Sequence, residues 1–146
     1  MEAGLRVRRA RRGDFARVRA LLDAAAPAER GERKRFRRLV STLREDLYVA
    51  ETEATAAGPL AGLAVIVYAR GLGPLTAVVR QLRATSAAAR TLLLDCAHTR
   101  AAARGCTRLE LQLDADDERA APDLAPALAQ AGWIEGPRTL ARTVSP

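Results

Sequence analysis

A long helical segment that runs directly into an alternating strand constrains the fold of this chain most. The helical segment begins at Ser86, a typical N-cap residue, and ends at Gly105, a typical terminator. Residues 107–113 then alternate apolar and polar side chains without interruption, which is the pattern of a β-strand with one buried face. We therefore predict that this strand is central in a sheet and that the helix packs on one face of the sheet through Leu93 and Ala97.

Apolar spacing and turn residues predict the other elements. A strand, two amphipathic helices, a β-hairpin and a fourth strand precede the long helix, and a short helix with two short strands follows residues 107–113. The predicted bounds are 5–8, 14–25, 32–44, 47–50, 63–69, 75–82, 123–131, 133–134 and 139–144. Asp14 is expected to cap the first helix with its side chain. This order predicts one α/β domain over residues 1–146, with a mixed sheet of six to seven strands and about four helices.

Composition excludes several classes of protein. A chain of 146 residues with 49% hydrophobic and 28% charged side chains is typical of one globular domain. The longest apolar stretch, residues 60–69, is half the length of a membrane span, so we expect no membrane insertion. One histidine with Cys96 and Cys106 matches no metal-ligand spacing, so we expect no metal site and a cytoplasmic chain with reduced thiols.

The positive charge lies in the first third of the chain. Residues 1–45 carry 14 basic and 6 acidic side chains, whereas residues 46–146 carry 10 basic and 11 acidic ones. The dominance of arginine over lysine is typical of a GC-rich, bacterial genome, and it leaves two interpretations open: anion binding or solvated helix faces. We expect the arginines of the first two helices to face solvent or to line a substrate cleft. Nucleic-acid binding is not favoured, because the only aromatic residues nearby, Phe15 and Phe36, lie at positions that a helix would bury.

The element order and several short words resemble the GNAT superfamily of acyl-CoA-dependent N-acyltransferases. The words RRA at 8–10 and GDF at 13–15 are similar to that family's opening strand and helix cap, and RGC at 104–106 with LEL at 109–111 resembles its turn from the third helix into the fifth strand. Gly132-Trp133 stands where members usually have Gly-Phe. The resemblance covers essentially the whole chain. It implies transfer of an acetyl or other acyl group from acyl-CoA to an amine of a small molecule or peptide, and it leaves a homodimer open.

The resemblance also implies where acyl-CoA would bind. The family's pyrophosphate loop has the pattern Gln/Arg-x-x-Gly-x-Gly/Ala, and here Thr85 takes the first position, Ala88 the first glycine and Arg90 the second. Two alternatives stay open: the amides of the helix start still hold the pyrophosphate, with Arg90 as an added ligand, or an alanine-rich helix start has lost this function. The candidate cofactor-binding residues are Leu82, Ala84, Thr85, Ser86, Ala87, Ala88, Ala89 and Arg90.

The family's general acid is absent from its usual position in this chain. Many members use a tyrosine of the fourth helix as the acid that protonates the leaving thiolate, and this chain has Leu128 there. Tyr68 or Tyr48 on the hairpin strands, or water, is the candidate substitute, and the alternative for a strand tyrosine is a packing role.

Glu110 is the candidate general base, because a carboxylate on a buried strand that faces a polar cleft has a raised pKa. An ion pair with Arg108, or with an arginine of the first two helices, is its alternative role. Other candidate bases follow in the acidic segment: Asp114, Asp116 and Asp117.

Two rival functions remain. One is a GNAT-fold binding or accessory protein that no longer uses acyl-CoA, which both departures from the family's motifs favour. The other is a binder of nucleic acid or of an acidic protein, which would lose affinity steeply as salt rises.

Overall fold

The computed structural model describes residues 4–22, 30–54, 57–113 and 121–136. The chain divides into two compact units, residues 1–113 and residues 114–146. The first unit contains five strands and three helices: β1 Leu5–Arg9, α1 Phe15–Leu21, α2 Arg30–Ser41, β2 Glu45–Thr52, β3 Gly62–Ala69, β4 Thr76–Ala84, α3 Ala87–Ala103 and β5 Arg108–Leu111. The second contains α4, Leu124–Gln130. The prediction of a single domain over the whole chain stays a prediction.

The strands form one mixed sheet in the order β1-β2-β3-β4-β5. The first three pairs are antiparallel, and β4 pairs with β5 in parallel. The parallel pair is possible because α3 carries the chain back across the sheet between β4 and β5. The predicted hairpin, the strand before α3 and the helix–strand order are therefore confirmed.

Local signals place both ends of α3. The Ser86 hydroxyl accepts a hydrogen bond from the Ala89 N–H at 3.1 Å, which satisfies one of the free amides of the first turn. Gly105 ends the helix with a φ of +75°, a left-handed conformation that glycine adopts without strain. The predicted cap and terminator of this helix are confirmed.

Three predictions about the strands are wrong or incomplete. The sheet has five strands in the described part of the chain, not six to seven. The strand predicted at 107–113 pairs only over Arg108–Leu111, and it lies at the end of the five-strand order instead of at its centre. Alternation reports one buried face and says nothing about the number of neighbouring strands. Trp133 and Ile134 are irregular, because two β-prone residues alone do not secure a partner strand. The strand predicted at 139–144 lies outside the described residues.

The sheet separates two apolar clusters. We call one surface the α3 face, where α3 packs through Leu93 and Ala97 on Ile66 and Val79. We call the other the α2 face, where Phe15 of α1 and Phe36 of α2 pack with their ring centroids 5.3 Å apart. The predicted docking of the long helix through Leu93 and Ala97 is confirmed.

A glycine sets how closely α3 approaches the sheet. A Cβ atom at Gly62 would lie 2.7 Å from the carbonyl oxygen of Arg83 and 2.8 Å from Cδ1 of Leu93. Any other residue there would push β4 or α3 away. Gly62 therefore fixes the position of α3 at the point where β4 ends.

Two buried carboxylates hold β1, β2 and α1 together on the α2 face. Glu51 is 1% exposed and accepts hydrogen bonds from Arg6, Arg8 and Arg17 at 2.7 to 3.1 Å. Asp14 accepts from Arg8 at 2.8 Å and from the Arg11 N–H at 2.7 Å. We call Glu51, Asp14, Arg6, Arg8 and Arg17 the carboxylate–arginine network.

This network corrects two predictions. Asp14 makes no side-chain cap hydrogen bond to α1, because its carboxylate is committed to Arg8 and Arg17. Arg17 of α1 neither faces solvent nor lines a cleft, since its guanidinium bonds Asp14, Glu51 and the carbonyl oxygen of Gly58. Sequence alone cannot tell such a residue from a solvated arginine, because the partner carboxylate is 34 residues away.

None of the helices in the described part of the chain is long and apolar enough to cross a membrane. Cys96 and Cys106 are free thiols. Burial raises the pKa of the Cys96 thiol.

Because of Glu51, the free energy of unfolding changes with pH in the acidic range. The hydrogen bond from Arg8, with those from Arg6 and Arg17, lowers the pKa of Glu51 from 4.5 to about 2. A carboxylate whose pKa is lowered by folding stabilises the protein above its usual pKa, so this stabilisation is lost as the pH falls from 4.5 towards 2. We expect Glu51→Gln to lower the free energy of unfolding at pH 7 by about 3 kcal/mol, because it leaves three arginines around a neutral group.

Urea denaturation at pH 7 and pH 3 measures both effects. Glu53→Gln is the matched control, because Glu53 is exposed on the same hairpin, and it should change the free energy of unfolding by less than about 0.5 kcal/mol. Equal losses in the two variants at pH 7 would contradict a structural role for the network.

Gly62→Ala should lower the free energy of unfolding by about 2 kcal/mol, because the added Cβ overlaps the backbone of β4. Gly71→Ala is the control, since nothing lies within 4 Å of a Cβ at that loop position. Thermal denaturation followed by circular dichroism measures both. A Gly62→Ala variant as stable as Gly71→Ala would show that the packing of α3 on β3 tolerates more space than the structure has.

Candidate functional site

One extra residue in β4 creates the central irregularity of the sheet. Val65 of β3 opposes Gln81, but the next residue, Ile66, opposes Val79, so Arg80 has no partner on β3. An extra residue of this kind is a β-bulge, which bends the strand and changes the faces on which the following side chains lie. As a result Gln81 lies on the α2 face and Leu82 on the α3 face.

The strands β4 and β5 separate just after this bulge. Their last paired residues are Val79 and Leu111, and the Gln112 N–H still bonds the Val79 carbonyl oxygen at 3.0 Å. Beyond this point β4 continues to Ala84, and within the described residues only β3 pairs with it. One backbone edge of residues 80–84 therefore has no strand partner among the described residues, and we call it the open edge of β4.

The open edge leads directly to the start of α3. Thr85 fixes the turn, since its backbone N–H and its hydroxyl both bond the carbonyl oxygen of Ala61, at 2.8 and 3.1 Å. After Ser86 caps Ala89, the N–H groups of Ala87 and Ala88 have no acceptor among the described residues, and both alanines are exposed. Free amides, small side chains and the positive end of a helix fit a phosphate group.

The other predicted cofactor residues fall into two groups. Leu82 and Ala89 are buried in the α3-face cluster, so their side chains support the site and do not face a ligand. Ala84 is half-buried at the end of β4, and Arg90 is half-buried in the first turn of α3. The eight residues are therefore together in space, as expected from their continuity along the chain, and their role in acyl-CoA binding stays a prediction.

Glu110 lies on the α2 face, one strand beyond β4. It is the parallel partner of Val78, and Val78 is the antiparallel partner of Val67. Its carboxylate forms an ion pair with Arg108 at 2.8 Å, and the two side chains are 41% and 55% exposed. The ion pair that the sequence left open as an alternative is present, and the role of Glu110 as a base stays a prediction.

Tyr68 has a different environment on the α3 face. Its hydroxyl donates a hydrogen bond of 2.6 Å to Asp46, which is fully buried, and the Arg104 guanidinium lies 4.1 Å from the ring centroid. Burial and the bond to Asp46 raise the pKa of Tyr68, so the phenol holds its proton. Arg9 and Arg100 complete the charge around Asp46, at 3.1 and 3.7 Å.

The structure does not bring Tyr68 and Glu110 together, because the sheet lies between them. Tyr68 contacts the last turns of α3, whereas the candidate cofactor residues lie at its first turn, roughly 20 Å away at 1.5 Å per residue. Tyr48 also lies on the α3 face, and burial raises its pKa. These contacts favour the packing role that was left open for the tyrosines, and their catalytic role stays a prediction.

A groove of about 350 Å³ opens on the α2 face between α2 and the strands β3 and β4. Its lining has an apolar floor and a charged rim, formed by Arg35, Phe36, Arg38, Leu39, Glu45, Val65, Val67, Arg80 and Gln81. Arg80 and Gln81 belong both to the groove and to the bulge, so the groove begins where β4 and β5 separate.

The exposure of the basic residues of α2 was predicted from the sequence. The basic residues of α2 are exposed or line the groove, as expected: Arg30, Arg33, Lys34, Arg35, Arg37 and Arg38. Arg80, Gln81 and Glu45 were not identified. Arg80 and Gln81, two adjacent polar residues between apolar residues of β4, were the available signal for a bulge. The acidic candidates Asp114, Asp116 and Asp117 lie outside the described residues.

No protein-family model and no curated protein sequence matches this chain. Solved structures do match over nearly its whole length. A transcriptional regulator from Bacillus halodurans C-125 has a TM-score of 0.79 at 20% identity, covering 97% of this chain and 100% of that one. An acetyltransferase from Trypanosoma brucei has a TM-score of 0.76 at 14% identity, covering 97% and 100%.

A third solved structure, the aminoglycoside N-acetyltransferase AAC(6')-Iy in complex with CoA, has a TM-score of 0.74 at 10% identity, covering 97% of this chain and 95% of that one. At such identities the likeness establishes the fold. The strand order, the parallel β4–β5 pair and the crossover helix α3 agree with the resemblance found in the sequence. This chain therefore has the fold of the GNAT acetyltransferases.

Proposed function

We propose that this protein is an N-acyltransferase that transfers an acyl group from acetyl-CoA or another acyl-CoA to an amine of a small molecule or peptide. The observation that carries the proposal is the continuous path from the bulge at Arg80, along the open edge of β4, to the free amides of Ala87 and Ala88. Acetyltransferases among the structures of the same fold, one of them bound to CoA, support it.

Each part of the path has a physical task in this proposal. The amides of Ala87 and Ala88, with the positive end of α3, bind the pyrophosphate of acyl-CoA, and Arg90 adds a guanidinium. The backbone edge of residues 80–84 forms hydrogen bonds with the extended part of the ligand, as it would with a neighbouring β-strand. When bound, acyl-CoA supplies a thioester as the electrophile.

Catalysis by such a site is mostly positioning. An amine on the α2 face attacks the thioester carbonyl, and a backbone N–H beside the bulge stabilises the negative charge that develops on the carbonyl oxygen. Glu110 takes the proton from the amine, directly or through a water molecule, because it lies on the same face and is half exposed. Water protonates the leaving thiolate, since Tyr48 and Tyr68 lie on the opposite face.

The second candidate function is a GNAT-fold binding or accessory protein without acyl-CoA. The absence of glycine at positions 88 and 90 favours it, because glycine lets a backbone approach a pyrophosphate more closely than alanine does. The two functions differ in one property, which is affinity for acyl-CoA.

Isothermal titration calorimetry with acetyl-CoA and longer acyl-CoAs separates them. We expect the wild-type protein to bind, Arg90→Ala to bind about tenfold more weakly because one hydrogen bond to a charged group is lost, and Ala88→Glu not to bind because its carboxylate occupies the anion's place. His98→Glu is the matched control, since it adds the same charge to an exposed position further along α3 and should leave the affinity unchanged. If the wild-type protein does not bind acyl-CoA at millimolar concentration, the proposal of an enzyme fails and the accessory protein becomes the favoured function.

A further inference from the structure

The groove on the α2 face carries an excess of positive charge beside an apolar floor. We propose that it selects amine acceptors that also bear an anionic group and an apolar body, such as amino acids with apolar side chains. The inference rests on the proposed function, because it assigns the groove as the acceptor site of the acyltransferase.

The charge of the groove comes from two elements. Arg35 and Arg38 project from α2, and Arg80 occupies the bulge of β4, whereas Glu45 is the only carboxylate among the described residues of the lining. All three arginines are exposed, and none forms an ion pair with another described residue. Three cations around one carboxylate favour a negatively charged ligand.

Other arginines of the chain show that this arrangement is not a general property of an arginine-rich protein. Arg6, Arg8 and Arg17 converge on the buried carboxylate of Glu51. A second set, Arg9, Arg100 and Arg104, surrounds the buried carboxylate of Asp46. These arginines are thus paired with buried carboxylates, whereas the arginines at the groove form no ion pair with a described residue and are available to pair with a ligand.

The floor of the groove determines the rest of the ligand. Phe36 is buried, and Leu39, Val65 and Val67 are half-buried beneath the rim. An apolar side chain over these residues would remove apolar surface from water. A volume of about 350 Å³ is near the lower end of ligand pockets and suits a molecule the size of one amino acid or a dipeptide.

The groove also points to the reaction centre of the proposed enzyme. Val67 in its lining is paired with Val78 on β4, and Val78 is paired with Glu110 on β5. Neighbouring strands are about 4.8 Å apart. The floor of the groove at Val67 therefore lies on the same face as the candidate base, two strands or about 10 Å from it. Nearby guanidinium groups also lower the pKa of an amine, which increases the fraction of the neutral, nucleophilic form.

Matched acceptor pairs test the proposal by measurement of acetyl-CoA-dependent thiol release. L-Phenylalanine and 2-phenylethylamine differ only in the carboxylate, and so do L-leucine and 3-methylbutylamine. We expect kcat/KM to be about tenfold or more higher for each amino acid than for its amine, because a hydrogen-bonded charge pair discriminates by this order. Equal values within each pair would overturn the proposal while leaving the acyltransferase function intact.

The double variant Arg35→Gln/Arg38→Gln should lower kcat/KM for the amino acids about tenfold and leave the amines within about twofold. Lys34→Gln/Arg37→Gln is the matched control, because it removes the same charge from exposed positions of α2 outside the groove. The control should change neither class. An equal loss in both double variants would mean that net charge, not the groove, selects the acceptor, and would also overturn the proposal.

A separate binding measurement covers failure of the proposed function. If no amine is acylated, titration of L-phenylalanine followed by NMR of the backbone amides still reports on the groove. Shifts at Arg80 and Gln81 that disappear in Arg35→Gln/Arg38→Gln support the anion-selecting groove without catalysis. No shifts at ten-millimolar ligand overturn it.

Discussion

A single extra residue in β4 determines the geometry around the candidate site. A strand that kept the alternation of Ala77, Val78 and Val79 would place residue 81 under α3 and residue 82 on the α2 face. The bulge at Arg80 exchanges these positions, so that Leu82 enters the core and Gln81 reaches the groove. The same bend accompanies the separation of β4 from β5 after Val79, which opens the backbone edge.

The arginines of this chain have two kinds of environment. Buried carboxylates form ion pairs with the arginines that hold elements together: Glu51 and Asp14 on one face of the sheet, and Asp46 on the other. Removal of one partner from such a group is strongly destabilising, because it leaves an uncompensated buried charge, even though formation of the intact group costs desolvation. Arg35 and Arg38 of α2 and Arg80 of the bulge form no ion pair with a described residue, and their charge is the basis of the acceptor preference proposed for the groove.

The sequence predicted what short-range signals determine. Ser86 and Gly105 mark the ends of α3 by local hydrogen bonding and backbone conformation, and the apolar spacing of Leu93 and Ala97 identifies the buried side of the helix. Alternation also identified β5, although not its position at the end of the five strands. These features need no knowledge of distant parts of the chain.

The features that were not predicted from the sequence depend on partners far away along the chain. Nothing local distinguishes Arg17, which is bound to Glu51, from a solvated arginine of the same helix. Nothing local predicts the hydrogen bond from Tyr68 to Asp46, because that partner lies 22 residues earlier in the chain. The bulge could have been inferred from Arg80 and Gln81, two polar neighbours between apolar residues of one strand, but its consequence for β5 follows only from the pairing register.

The proposed function requires that the open edge of β4 and the first turn of α3 form one binding surface for acyl-CoA. Backbone amide NMR during titration with acetyl-CoA tests this requirement. We expect shifts along residues 80–88, with little change at Tyr68 and Asp46 on the far side of the sheet. Shifts centred on Tyr68 and Asp46, or no shifts along residues 80–88 at saturating ligand, would contradict it.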